Sequence, residues 1–297
     1  MLWQILEYAM GVSGMKTSGV EFCKQLRKHR LAVLGLRLLA AIILFAVISP
    51  WIARYAPADI DLYNISSAPS KAHWLGTDDL GRDVFARLAE GASVSLTVGF
   101  AATLIQLLLG VLLGLIAGYF GGWIDKIIMR LVDIMMCFPF FVIAIAIAAV
   151  VGPSLWNIVF IIGFLSWTKL ARIVRGEVLV IREKEFIQSA RMMGLNHFEM
   201  MWRHILPNVL SPVIVYSTIA IANAILSEAS LSFLGMGVRP PQASWGNMLS
   251  AAQNMRTLAY EWWLWLPPGL MIFITVLGIH FLGDGLRDTL DPKERRG

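Results

Sequence analysis

Charge is what this sequence has least of. Only 15% of its 297 residues are charged against 57% hydrophobic, and the mean hydropathy is +0.67. That balance is too apolar for an ordinary water-soluble domain. Cysteine is nearly absent: Cys23 lies in a basic N-terminal tail and Cys137 inside an apolar run, which argues against a disulfide. Catalytic motifs are absent as well. No G-x-x-x-x-G-K-[ST] occurs, since Met15 separates Gly14 from Lys16-Thr17 and no strand precedes them. Nor is there an H-E-x-x-H, a G-x-S-x-G or a Ser/His/Asp set. The chain is therefore expected not to be an enzyme, with no catalytic residue, metal ligand or cofactor of its own, and it must borrow its energy. Met1–Met10 is short, mixed in polarity and without a cleavage site, so the first apolar span is expected to serve as the insertion signal and to stay. The excess of five basic residues reads as membrane topology, with no nucleic-acid partner.

What the chain does have is apolar runs. Six of them approach the ~20 residues that cross a lipid bilayer, at Leu31–Ile52, Val94–Tyr119, Ile127–Val151, Leu155–Ile173, Val209–Phe233 and Trp262–Leu282. Helices are required, because an open strand would leave backbone groups unpaired in lipid. With the N-terminus inside, the inner segments carry eighteen Lys and Arg and the outer ones six. The positive-inside rule then puts both termini and the segment after the fourth span in the cytoplasm. Trp51, Trp123, Trp156 and Trp262 fall at the expected interfaces, where indole prefers to sit. The expected fold is all-α and polytopic, with six transmembrane helices. It divides into a cytoplasmic tail (1–30), a first span (31–53), an external loop (54–92), a five-helix core (93–284) containing a cytoplasmic segment (174–208), and a C-terminal tail (285–297).

The external loop holds HWLGTDDLGRDVFARL, followed by an expected short helix against the membrane face. Asp78, Asp79 and Asp83 are close in sequence, but TDxxGRD favours local side-chain-to-backbone turns and an Asp–Arg pair over a metal site, and His73 alone is no ligand set. Gly110, Gly114 and Gly118 form a small-residue stripe that lets another helix approach, with packing inside one subunit the favoured reading. Pro139 and Pro267-Pro268 should kink or interrupt their spans. Two acids lie in membrane segments, Asp133 beside Arg130 and Glu228 towards the outer end of its span. A charge at mid-membrane costs about 2.5–3.5 kcal/mol on insertion scales, so each should face protein or water. Structural pairing or pathway lining is preferred over proton relay, and Asp133, Pro139 and Glu228 are assigned loosely to a pathway.

Glu185–Asn208 is the longest strongly polar stretch between spans. It reads as two short amphipathic helices joined at Gly194, one with Phe186, Ile187, Ala190 and Met193 on a face, the other with Phe198, Met201, Trp202 and Ile205. Asn196 can cap the second helix, Glu199 can reach back as in a capping box, and Pro207 should stop it. A capped amphipathic pair between spans is a candidate docking element.

This stretch resembles the cytoplasmic EAA loop of ABC importer permeases, whose pattern is Glu-Ala-Ala, three residues, Gly, nine residues, Ile, one residue, Leu-Pro. Here the positions hold Gln188-Ser189-Ala190, Gly194, His204, Ile205 and Leu206-Pro207 at matching spacing, with Gln, Ser and His as departures. From about Leu31 to Asp291 the chain resembles the dipeptide/oligopeptide/nickel class of these permeases, through LGTDDLGRD, GYFGG, SLSFLGMG and GDGLRDTLDP. The resemblance implies a type I ABC importer permease fold in a bacterial or archaeal cytoplasmic membrane. It implies four kinds of partner: the lipid bilayer, a related second permease, two cytoplasmic ATPase subunits that bind the ATP and Mg, and an external solute-binding protein. By position, coupling to an ATPase groove falls to Gln188, Ser189, Ala190, Gly194, Asn196, His197, Glu199, Met200, Arg203, His204, Leu206 and Pro207. Peptides are the expected substrate. Nickel or other metal chelates, opines and oligosaccharides are the alternatives in the class, and a proton-coupled secondary carrier is the alternative outside it.

Overall fold

The computed structural model describes residues 26, 27 and 29–290; Lys16, Cys23, Lys24, Lys28 and the Asp291–Gly297 end lie outside the described residues. Among the described residues every regular element is helical, with one isolated bridge between Thr77 and Asp83. In chain order the helices are α1 (Arg30–Ile52), α2 (Val84–Phe120), α3 (Gly122–Cys137), α4 (Phe140–Val151), α5 (Leu155–Ile181), α6 (Glu185–Met192) and α7 (His197–Phe233). The short helices α8 (Trp245–Leu249) and α9 (Met255–Tyr260) then precede α10 (Trp262–Leu290). Five of these, α1, α2, α5, α7 and α10, are long and apolar enough to cross a membrane, and the pair α3/α4 makes a sixth span if counted as one.

That third span is broken rather than kinked. Helices α3 and α4 meet at 86°, and at 1.5 Å rise per residue neither alone reaches the ~30 Å of the hydrocarbon core. The cause is local. Pro139 has no N–H to continue the ladder, and the residue before a proline is pushed out of the α region; Phe138 accordingly sits at ψ 139° and Pro139 becomes the N-cap of α4. Pro267 and Pro268 behave otherwise, since α10 runs through them without interruption. They are its sixth and seventh residues, so the missing N–H groups leave the carbonyls of Trp263 and Leu264 without their usual helical donors, but the helix is not broken there.

Helices α2 and α5 form the central contact of the subunit, and the glycine stripe makes it. A Cβ on Gly110 would lie 2.8 Å from Leu170 Cβ, on Gly114 2.6 Å from Ala171 O, and on Gly118 2.7 Å from Val178 Cβ. The stripe thus packs within this chain, where side-chain bulk would separate two backbones that lipid does not press together. Helices α1 and α10 meet the same way, with Gly35 against Gly278.

Helix α2 starts ten residues earlier than the apolar run suggests, at Val84, and absorbs the expected separate short helix. Asp83 supplies the reason: its carboxylate caps the helix by accepting from Ala86 N at 2.8 Å, while its other oxygen lies 2.9 Å from His73 Nδ1. Asp78 makes the local turn, accepting from Leu80 N and Arg82 N and pairing with Arg82 Nε at 2.7 Å. Among the described residues no group of three or more potential ligands is placed to hold a metal. Trp51, Trp123, Trp156 and Trp262 are exposed on helix ends, and Cys137 carries a free, exposed thiol.

Candidate coupling segment and pathway

The polar stretch after α5 folds back on the C-terminal ends of α2 and α5 and the first turns of α7. Ile187 and Ala190 of α6, with Met200 and Ile205 of α7, are buried against Val174, Val178 and Val209. Between them Met193 ends α6, and Gly194 turns the chain at φ +81°, a conformation that costs a side chain about 1–2 kcal/mol. Asn196 caps α7 by accepting from Glu199 N at 2.8 Å. The capping is one-sided: the Glu199 carboxylate meets Asn196 Nδ2 at 3.4 Å and Arg203 at 2.9 Å, not the cap's backbone.

Two expectations for this stretch need correcting. The second helix does not stop at Pro207; it continues into the fifth span as one helix, His197–Phe233. What admits the proline is a π turn over Met200–Ile205, in which Leu206 N–H donates to Met201 O, five residues back. Asn208 Nδ2 then takes His204 O at 2.7 Å. The wider turn also moves the buried face, so that Met200 and Ile205 point inward, while Phe198 and Trp202, expected on the apolar face, are exposed. Met193 is exposed likewise.

The result is a surface. Met192 (81% exposed), Met193, Phe198 (68%) and Trp202 present apolar groups outward, rimmed by Arg191 and Arg203. Of the residues assigned to coupling, Gln188, Ser189, Gly194, Asn196, His197 and Arg203 are exposed. Glu199, His204, Leu206 and Pro207 are half-buried, and Ala190 and Met200 hold the segment from beneath. Two bonds fasten it to the spans: His197 Nδ1 to Tyr119 Oη at 2.8 Å, and Arg182 Nη1 to Gly118 O at 3.0 Å. Arg175 grips Asp125 of α3 through both carboxylate oxygens, at 2.5 and 2.6 Å.

Above this segment a cavity of about 520 Å³ opens at the break between α3 and α4, between Phe138 and Phe140 on one side and α7 on the other. Its polar lining is Gln106, Ser166, Thr168, Lys169, Tyr216, Asn223, Ser227 and Ser230, with Gln106 Nε2 donating to Tyr216 Oη at 3.0 Å. Of the three residues assigned loosely to a pathway, Pro139 is at this break. Asp133 pairs with Arg172 at 2.7 Å, not with Arg130. Glu228 exposes no surface: it accepts from Ser95 at 3.0 Å and Ser232 at 2.6 Å, and lines neither this cavity nor the larger one beside Asp78. The cavity's polar residues were missed, although Tyr216, Asn223, Ser227 and Ser230 recur at helical spacings of seven, four and three residues in an otherwise apolar run.

A helical bundle with a broken third span, a polar cleft beside the break and an exposed apolar segment before the fifth span is an arrangement suited to a transport subunit. Residues 110–296 match the family of binding-protein-dependent transport system inner membrane components, and residues 19–69 match the N-terminal transmembrane domain of oligopeptide transport permease C. The chain belongs to that family of transport-system permeases. It is 45% identical over 273 residues to the dipeptide transport system permease protein DppC of Alkalihalophilus pseudofirmus, covering 92% of this chain and 89% of that one. To the glutathione transport system permease protein GsiD of Escherichia coli it is 41% identical over 280 residues, covering 94% and 92%. Among solved structures, the inward-facing MetNI methionine ABC transporter aligns with a TM-score of 0.57 at 18% identity, covering 69% of this chain and 96% of that chain, a likeness of fold.

Proposed function

We propose that this chain is one permease subunit of an ATP-driven, binding-protein-dependent peptide importer, with both termini in the cytoplasm. The observation that carries the reading is the apolar surface of Met192, Met193, Phe198 and Trp202, held on a capped segment that is one helix with the fifth span. An exposed apolar patch on so ordered a support is a protein contact. Its partner would be an ATPase subunit, two of which bind ATP and Mg and close together. Because His197–Phe233 is one helix, displacement of the docked end moves Tyr216, Asn223 and Ser227 along the cavity with it. That motion is rigid-body rocking between two states, the shear or hinge kind. A related second permease completes the path, and an external binding protein delivers the peptide. The dipeptide and glutathione permeases among its relatives support peptides over chelates, opines or oligosaccharides.

The test is reconstitution. The purified chain alone should hydrolyse no ATP, and proteoliposomes holding the full complex should take up a labelled dipeptide only with ATP inside and binding protein outside. Uptake by the chain alone, driven by a proton gradient, would identify a secondary carrier instead.

A further inference from the structure

On the external side a second cavity, of about 910 Å³, lies between the Asp78 turn, the chain after α7 and the approach to α10. It shares no lining residue with the cavity along α7, and its volume suits a small peptide. Four arginines line it, Arg82, Arg87, Arg239 and Arg256, against three acids, Asp78, Asp79 and Glu261. The acids are already engaged. Asp78 holds Arg82 Nε at 2.7 Å and Arg87 Nε at 3.4 Å, and Asp79 meets Arg82 at 3.7 Å. Glu261 accepts from Thr257 at 3.0 Å and faces Arg256 at 3.9 Å.

Among the described residues, two of the arginines keep guanidinium donors without an acceptor. Arg87 is only 5% exposed, yet its Nη1 has no hydrogen-bond partner among the described residues. Arg239 is exposed and makes no ion pair or hydrogen bond among them. A desolvated guanidinium N–H without an acceptor is costly, so its usual explanation is a group supplied from elsewhere. The planar fork of a guanidinium matches a carboxylate, and the surplus of cation over acid selects an anion. We infer that this cavity is a carboxylate-binding site that receives the anionic end of the peptide at the external mouth, with Arg87 and Arg239 as the receiving groups. The inference rests on the peptide reading above. Burial of Arg87 favours a small ligand that enters the cavity over an acidic side chain on a docked protein, which would meet exposed Arg239 first.

The experiment compares labelled trialanine with its C-terminal amide in proteoliposomes of the full importer, below saturation. The binding protein's own preference cancels when each variant's acid-to-amide ratio is divided by the wild-type ratio. Arg239→Gln and Arg87→Gln should each lower that ratio about tenfold, the scale of one lost hydrogen bond to a charged group. Arg87→Lys should recover part of it. Arg239 has no partner to lose, so its variant tests the site even where Arg87→Gln does not assemble. An unchanged ratio in a well-assembled Arg239→Gln complex overturns the site. So does an unchanged ratio with more binding protein needed to stimulate ATP hydrolysis, which assigns the arginines to docking. Failure of the wild-type complex to take up either compound overturns the peptide reading itself.

Discussion

The imidazole of His197 and the hydroxyl of Tyr119 lie 2.8 Å apart, joining the exposed segment at the start of α7 to the C-terminal end of the second span. Phe120 closes over the same ring, with its centroid 5.8 Å from that of His197. A force applied to the Met192–Trp202 surface therefore reaches two spans, α7 through the chain and α2 through this contact.

Tyr119→Phe removes the hydrogen bond and keeps the ring. Its expected cost is about 1 kcal/mol, too little to prevent insertion or assembly. The expected outcome is partial uncoupling: ATP hydrolysis close to wild type, with several-fold less peptide imported per ATP. An unchanged ratio of import to hydrolysis would mean that the chain connection through α7 suffices.

At Gly194 the backbone has φ +81° and a Cβ would find nothing within 4 Å. Space is therefore not the constraint; backbone conformation is. Asn tolerates the left-handed region best among side-chain-bearing residues and β-branched residues worst. Gly194→Asn should retain most ATPase recruitment, Gly194→Ala less, and Gly194→Ile little, with membrane insertion normal throughout. Co-purification of the ATPase subunits gives the order, and full recruitment by Gly194→Ile would show that this turn does not set the docking geometry.

The spans, the Asp78 turn and the Gly194 corner were legible because each depends on residues near one another in sequence. The capped end of α7 was legible for the same reason. Continuation through Pro207 was not, because a π turn has no apolar period of its own and leaves Met200 and Ile205 five apart. In sequence Asp133 stands beside Arg130, three residues away, but its ion pair is with Arg172 on α5. Nothing local distinguishes the two arginines; only the packing of α5 beside α3 does. Likewise Glu228 was recognised as an acid needing company, while its partner Ser95 stands 133 residues away.

Topology can be read with single cysteines after replacing Cys23 and Cys137. Ser66 is a poor external site, since it sits at φ +47° with its N–H bonded to Asp78 O. Tyr63, 99% exposed, is better, and Met192 serves for the inner side without removing the Asn196 cap. A membrane-impermeant maleimide should label Tyr63→Cys in intact cells and Met192→Cys only after permeabilisation. Labelling of Met192→Cys in sealed cells would reverse the orientation drawn from the Lys and Arg distribution.

Glu228 gives the last prediction. Its two carboxyl oxygens accept from Ser232 and Ser95, and Ser95 Oγ in turn accepts from Trp245 N–H at 3.2 Å, so the group ties α2, α7 and α8 together. Glu228→Gln keeps the shape and an acceptor oxygen, and its amide can donate to a hydroxyl. Ser95→Ala strands a buried N–H and a carboxyl oxygen, at about 1–3 kcal/mol. Glu228→Ala removes both acceptors and adds a cavity, about 2–5 kcal/mol by analogy with other large-to-small changes. The thermal midpoint of the purified complex should therefore fall in the order Gln, then Ser95→Ala, then Glu228→Ala, with import by Glu228→Gln near wild type. Loss of import in Glu228→Gln at an unchanged midpoint would mean that the ionisable proton matters, and would return the proton-coupled reading to contention.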